Sequence, residues 1–275
     1  MGRGQAPCYD AGMVGLRSPA STLVTASGFP SFDSYAAPVG HTRTAVSGPI
    51  RWGIGDFAWA WPAVLVSQVF FGAVIVSLRG FGPHHAADAI DIAFITAGST
   101  IVTLGILRVI AAVKGGGSLR TDFGLTLRLT DWPWLAAGVL VGLVANGSVL
   151  IIEAVAGSKQ QQDVAIAIQH SPTAARVLGA LAVVIAAPLG EELLFRGLLL
   201  RGLSRRFGAV TAVAGSAGLF ALVHLLDPNA APFLAPLALL GMISGMRAVR
   251  SGELSQSILL HAGFNLLSAI ALLAS

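Results

Sequence analysis

Seven stretches of the chain stay apolar for long enough to cross a lipid bilayer, and nothing else in the sequence restricts the possible folds so far. They run over Phe57–Leu78, Ile90–Val113, Trp134–Ala156, Val177–Leu200, Val210–Leu226, Phe233–Val249 and Ile258–Ala274. Each reaches the about 17–25 residues that a transmembrane helix requires. Only 11% of the residues are charged and 55% are hydrophobic, against roughly 25% charged in a soluble domain. A chain this apolar cannot be solvated on all sides, so the sequence predicts an all-α polytopic transmembrane bundle whose surrounding partner is the lipid bilayer. The formal net charge of +4 does not point to nucleic acid, because the basic residues are spread between apolar spans. Cys8 is the single cysteine, which excludes an internal disulfide.

Residues 1–56 differ in kind. They are rich in Gly, Ser, Pro, Ala and Thr, show no apolar period, and hold only a short apolar patch from Ala11 to Leu16. A secretory h-region needs about 7–15 apolar residues, so this segment is expected to be disordered. Beyond it, Lys and Arg segregate by loop. Twelve fall in the N-terminal segment and in the second, fourth and sixth loops, whereas three (Arg79, Lys159, Arg176) fall on the alternate side. The positive-inside rule then places the N-terminus in the cytoplasm and the C-terminus outside. A short re-entrant segment within Gln160–Thr173 would invert the first half of that topology.

Charge inside the fourth span is the chemical signal. Glu191, Glu192 and Arg196 interrupt an apolar run, and each such charge costs about 2.5–3.5 kcal/mol at a bilayer centre. Glu192 and Arg196, four residues apart, share a helix face and can pair. Glu191 lies about 100° around the helix, cannot share that arginine equally, and is left to face a cavity. Pro188 lacks an N–H and loosens the helix just before them. Two later spans carry answering groups. Phe220 and His224 are four apart in the fifth, and His261 and Asn265 are four apart in the seventh. A carboxylate, two imidazoles, a carboxamide and an ion pair suffice to polarise a water, take its proton and stabilise an oxyanion. Glu191, His224 and His261 also make a zinc ligand set with one open position. The residues leave two mechanisms open. A glutamate base needs its pKa raised by desolvation towards about 6–7, whereas Zn²⁺ would lower that of its bound water to about 7.

In order, and each on its own span, Glu-Glu-x-x-x-Arg (Glu191, Glu192, Arg196), Phe-x-x-x-His (Phe220, His224) and His-x-x-x-Asn (His261, Asn265) resemble the three motifs of the CPBP family. That family comprises the type II CAAX prenyl endopeptidases, the bacteriocin-processing enzymes and their bacterial relatives. Asp122-Phe123-Gly124-Leu125 is similar to a short stretch common in bacterial members. The likeness therefore covers residues 120–275, with 57–119 as additional N-terminal transmembrane helices and 1–56 matching nothing in the family. The resemblance implies an intramembrane endopeptidase of metalloprotease type in a bacterial plasma membrane. Its substrate would be a peptide or membrane protein, cut in a conical cavity open towards the cytoplasm and the lipid. Glu191 would activate the water, His224 and His261 would bind zinc or the water, and Asn265 would help hold the oxyanion. Glu192 and Arg196 would form the supporting pair. Fuller family members have eight spans, one more than the seven counted here.

A second class of protein accommodates the same groups. A non-proteolytic membrane scaffold, or a transporter-like protein with a proton-relay carboxylate, would also bury Glu and His. Transporters carry internal repeats or paired broken helices, and neither is visible. A serine mechanism on Ser244 and His261 leaves Glu191 idle. Asp122-Phe123-Gly124 spells the kinase magnesium tripeptide without its companion loops. Asn146-Gly147-Ser148 is a sequon inside an apolar span, and His84-His85 with Asp88 reads as a solvated loop. Asp91 and Arg108 are expected to line the bundle away from the site.

Overall fold

The computed structural model describes residue 1 and residues 50–79, 87–157 and 161–274. The disorder expected near the N-terminus falls on residues 2–49, outside the described residues, as do His84, His85 and Lys159. No strand occurs among the described residues, and all seven predicted spans are helices long and apolar enough to cross a membrane. We label the helices α1 (Ile54–Arg79), α2 (Ala89–Lys114), α3 (Leu119–Phe123), α4 (Pro133–Ala156) and α5 (Asp163–Gln169). The fourth span, α6, is continuous over Thr173–Phe207. It is followed by α7 (Ala209–Val223), α8 (Leu234–Ser251) and α9 (Ser255–Ala274). Large apolar side chains such as Val66, Phe70, Ile101, Leu140 and Ile151 point outward, as a lipid-facing surface requires.

Packed structure begins earlier than residue 57. Trp52 is buried, lies 4.8 Å from the Phe123 ring, and carries the Arg205 guanidinium 4.0 Å above its own ring. Asp56, also buried, accepts from the Gly53 N–H at 2.9 Å and pairs with Lys114 at 2.6 Å. The expected boundary at residue 56 thus falls inside α1. Asp91 is buried at the start of α2, away from the site. It completes a capping box with Asp88 at the start of α2 and pairs with Arg79 at 2.8 Å. Arg108 is exposed on the outer surface, where its stem can lie along lipid and its head reach the interface.

The end of the bundle that carries α3 is closed by a polar knot. Asp122 accepts from the N–H groups of Gly116 (2.7 Å) and Ser118 (3.1 Å). Phe123 is fully buried. Gly124 sits at φ +75, where a side chain would be strained, and its carbonyl accepts from Leu254 N–H at 2.8 Å. Arg201 donates to the Gly252 carbonyl, Nη2 to O 2.6 Å. The Asp122–Leu125 stretch therefore ties the loop after α2 to the α8–α9 turn.

Two local features set the depth of the polar residues. Gly138 on α4 and Gly263 on α9 let these helices touch backbone to backbone. A Cβ on Gly138 would strike the Leu260 carbonyl, and one on Gly263 the Leu135 carbonyl. This is the small-residue packing by which membrane helices approach closely, and it seats His261 and Asn265. The second feature is in α6, where π-helical turns over Ala182–Ala186 and Leu193–Leu199 flank Pro188. Carbonyls released there find side chains from three other spans. Val183 accepts from Asn265 Nδ2 at 2.8 Å, Ala186 from Thr100 Oγ1 at 2.9 Å, and Phe195 from Ser216 Oγ at 3.0 Å. A backbone group left unpaired in hydrocarbon would cost several kcal/mol.

The spans alternate in direction, so α1 begins and α9 ends at opposite ends of the bundle. Helix α5, at about 1.5 Å per residue, is about 10 Å long and cannot cross a core of about 30 Å. Its first turn is pinned to the α7–α8 loop, with Asp227 Oδ2 accepting from Asp163 N–H and Asn229 Nδ2 donating to Asp163 Oδ1, both at 3.0 Å. The chain thus returns to the end it left, and α5 does not invert the first half.

Candidate active site

Glu192 and Arg196 occupy the centre of the bundle with no exposed surface, Nη1 to Oε1 3.0 Å. The same Glu192 oxygen accepts from His261 Nδ1 at 2.9 Å. A carboxylate accepts here, so Nδ1 carries the hydrogen. The His261 Nε2 lies 3.7 Å from Glu191 Oε2. Glu191 itself keeps 34% of its side chain exposed and lines a cavity. The helical offset between the two glutamates thus divides them as expected, one into the packed core and one to the cavity wall.

His224 begins a 3-10 turn, His224–Leu226, that ends α7. Its Nδ1 lies 2.8 Å from the Phe220 carbonyl, another obligate acceptor, so here too Nδ1 carries the hydrogen. Phe220 is the hub of the arrangement. Fully buried, it packs edge-on against His224 (4.9 Å), His261 (5.6 Å) and Phe195 (5.3 Å). The Arg196 guanidinium sits 4.4 Å over its face, a cation–π contact that partly offsets the burial of the charge.

Glu191, His224, His261 and Asn265 all line one cavity of about 540 Å³, within the range of about 300–1,000 Å³ typical of ligand pockets. Asn265 spends one amide hydrogen on Val183 and retains the other. The opposite wall comes from α1 and α2, which sequence reasoning left outside the site. Gln68, Thr96, Ser99, Thr100 and Thr103 face the same space. The signal was present: hydroxyls at offsets of three, four and seven residues fall on one helix face. Asn146, set aside as part of a sequon, lines the cavity too and donates to Gly142 within its own helix at 2.9 Å.

Two expectations are not met by this geometry, and the serine mechanism already set aside finds no support in it. Ser244 is buried and its Oγ makes no hydrogen bond, while His261 Nδ1 is committed to Glu192, so no serine–histidine pair forms. Among the described residues no three His, Cys, Asp or Glu side chains are grouped as a metal site. Glu191, His224 and His261 share a cavity but are not gathered as ligands, and the arrangement does not fit a three-ligand zinc centre. The cavity also extends from Glu191 towards α5, Gln161 and Leu272, away from the end that carries most of the Lys and Arg. An opening to the cytoplasm, implied by family resemblance, is therefore at odds with the orientation read from the loop charges.

Fold and site together define an all-helical integral membrane protein with a carboxylate–imidazole cluster buried between its spans. Residues 173–267, which hold all six site residues, match the family described as type II CAAX prenyl endopeptidase Rce1-like. This agrees with the family resemblance carried by the three motifs, and the matched family is one of proteases. No curated protein and no solved structure matches the chain.

Proposed function

We propose that the protein is an intramembrane endopeptidase in which Glu191 activates the hydrolytic water. The observation that supports this most is the division of labour around His261. The buried Glu192–Arg196 pair fixes its Nδ1–H, which leaves Nε2 beside the one glutamate that reaches the cavity. A water between Glu191 Oε2 and His261 Nε2 donates a hydrogen to each and turns a lone pair outward. The carboxylate removes a proton as the water oxygen bonds to the scissile carbonyl carbon, whose π pair moves to oxygen. The second amide hydrogen of Asn265 is a donor for that oxyanion, and His224 supplies another imidazole on the same wall. Collapse of the tetrahedral intermediate breaks the C–N bond, and the proton held by Glu191 passes to the leaving nitrogen.

The substrate is a peptide or a membrane-associated protein, which need not be prenylated. We place the chain in a bacterial plasma membrane, on the likeness of Asp122–Leu125 to bacterial members, and its N-terminus in the cytoplasm. In reconstituted protein, Glu191→Gln should lower peptide cleavage by about 10²–10⁴-fold, the usual contribution of a positioned base, and His261→Ala should do likewise. Cleavage by both variants at the parent rate would refute the enzyme. A cellular phenotype that survives Glu191→Gln would favour a scaffold.

A further inference from the structure

We infer that the hydroxyl face of α2 is the subsite that holds the substrate's backbone, accepting from the N–H groups of an extended peptide laid along it. The inference deepens the endopeptidase reading and rests on it for which bond is cut. Thr96, Ser99, Thr100 and Thr103 share one face of α2 and all line the Glu191 cavity. Three of them have already spent the one hydrogen a hydroxyl owns. Ser99 Oγ donates to the Thr96 carbonyl at 3.1 Å, Thr100 Oγ1 to the Ala186 carbonyl at 2.9 Å, and Thr103 Oγ1 to the Ser99 carbonyl at 2.9 Å. What these oxygens still offer is lone pairs, so the wall accepts and requires a partner that donates. The face is also level with the carboxylate: a Cβ on Gly190, the residue before Glu191, would lie 3.1 Å from Thr100 Oγ1.

Donors at the right interval are what a peptide backbone supplies. Along one edge of an extended chain the N–H groups repeat every second residue, at about 6.6–6.8 Å. Hydroxyls four residues apart on a helix repeat at about 6 Å along its axis, as in the pairs Thr96–Thr100 and Ser99–Thr103. In a trans peptide bond the C=O and the N–H point to opposite sides. A scissile carbonyl turned to the Asn265 amide on the facing wall therefore turns the N–H of the same bond towards α2. The N–H two residues earlier falls on the same edge. Two successive acceptors thus hold the chain past Glu191 in one register. A helical segment cannot bind in this way, because its N–H groups are already bonded to carbonyls four residues back. The substrate class this wall fits is a peptide segment presented in extended form.

The probe is a fluorescent decapeptide, selected from a mixed-sequence pool by retention on Glu191→Gln protein in detergent. It is resynthesised as a set of analogues, each with one backbone N–H replaced by an ester oxygen. Esters at two positions, two residues apart, should each weaken binding to the Glu191→Gln protein by about 2–10-fold, as the loss of one hydrogen bond does. Adding Ser99→Ala or Thr96→Val should weaken the all-amide peptide by a similar factor and abolish the further loss at one of the two positions. Thr100 is left intact because its hydroxyl also supports the Ala186 carbonyl. In protein with Glu191 intact, the later of the two sensitive N–H groups should belong to the bond that is cut. An ester scan with no such pair, losses that persist in both variants, or equal weakening of every analogue overturns the inference, as does a cut elsewhere or retention of no peptide. If the pattern appears but protein with Glu191 intact cleaves nothing, the protease reading fails and the backbone subsite stands.

Discussion

Replacing Glu192 with glutamine tests the centre of the bundle. The amide keeps an oxygen of the same shape that can still accept from His261 Nδ1, but, among the described residues, it removes the one carboxylate within ion-pair distance of Arg196 (3.0 Å). The arginine, with no exposed surface, would retain the Phe220 face at 4.4 Å, a contact equally present in the parent and so without effect on the difference. Removing one partner of a buried ion pair costs about 3–5 kcal/mol, most of it the penalty of the stranded charge. At about 2–4 °C per kcal/mol for chains of 150–250 residues, Glu192→Gln should lower the melting temperature by about 6–20 °C. Thermal unfolding of purified protein in detergent measures it directly. Arg196→Met in the same chain removes the stranded charge, and a buried pair replaced by apolar groups of similar volume is often neutral. The double variant should therefore recover most of the loss. A Glu192→Gln protein melting within about 2 °C of the parent, less than about 1 kcal/mol on the same scale, would show that the pair is not desolvated as described. A double variant no more stable than the single would show that the stranded charge is not the cause.

Asn265→Ala and Thr100→Val should each leave an α6 carbonyl unpaired and cost about 0.6–1.7 kcal/mol, the measured span for interhelical hydrogen bonds in membranes. Of the two, only Asn265→Ala should also lower kcat, through its second amide hydrogen. Gly263→Ala should destabilise by about 1–3 kcal/mol, as overpacking does, because its Cβ meets the Leu135 backbone rather than a side chain that could turn away; melting and cleavage should fall together. Cleavage should persist after exhaustive dialysis against a chelator. One zinc per chain, lost in both His224→Ala and His261→Ala, would instead restore the expected set of Glu191, His224 and His261.

What could be read from the sequence separates by the distance over which each inference acts. The spans were legible because about 20 residues of hydropathy average over local irregularity. The start of α1 was not, because Asp56 looked like the last polar residue of a tail, when in fact it folds inward against Lys114. The Glu192–Arg196 pair was legible from a four-residue offset within one turn of helix. The bond from the same glutamate to His261 was not, since it joins residues 69 apart in sequence and depends on which helices become neighbours. The polar wall on α2 escaped for the same reason, although its own periodicity is plain.

Pro188 shows where helical arithmetic stops. Glu191 and Glu192 lie in the short α-helical piece Ala187–Glu192, so their relative phase follows from about 100° per residue and survives in the structure. Each flanking π turn inserts roughly one residue into the helix and rotates everything beyond it by about the same angle. Counting from Thr173 in an unbroken helix would therefore aim Glu191 at the wrong neighbour. The proline announces that the helix is broken, but which carbonyls are released becomes apparent only once Asn265 and Thr100 arrive from other spans to receive them. The Glu191 carboxylate is aimed by an irregularity that three helices stabilise together, and for that reason Asn265→Ala should disturb its placement without touching it.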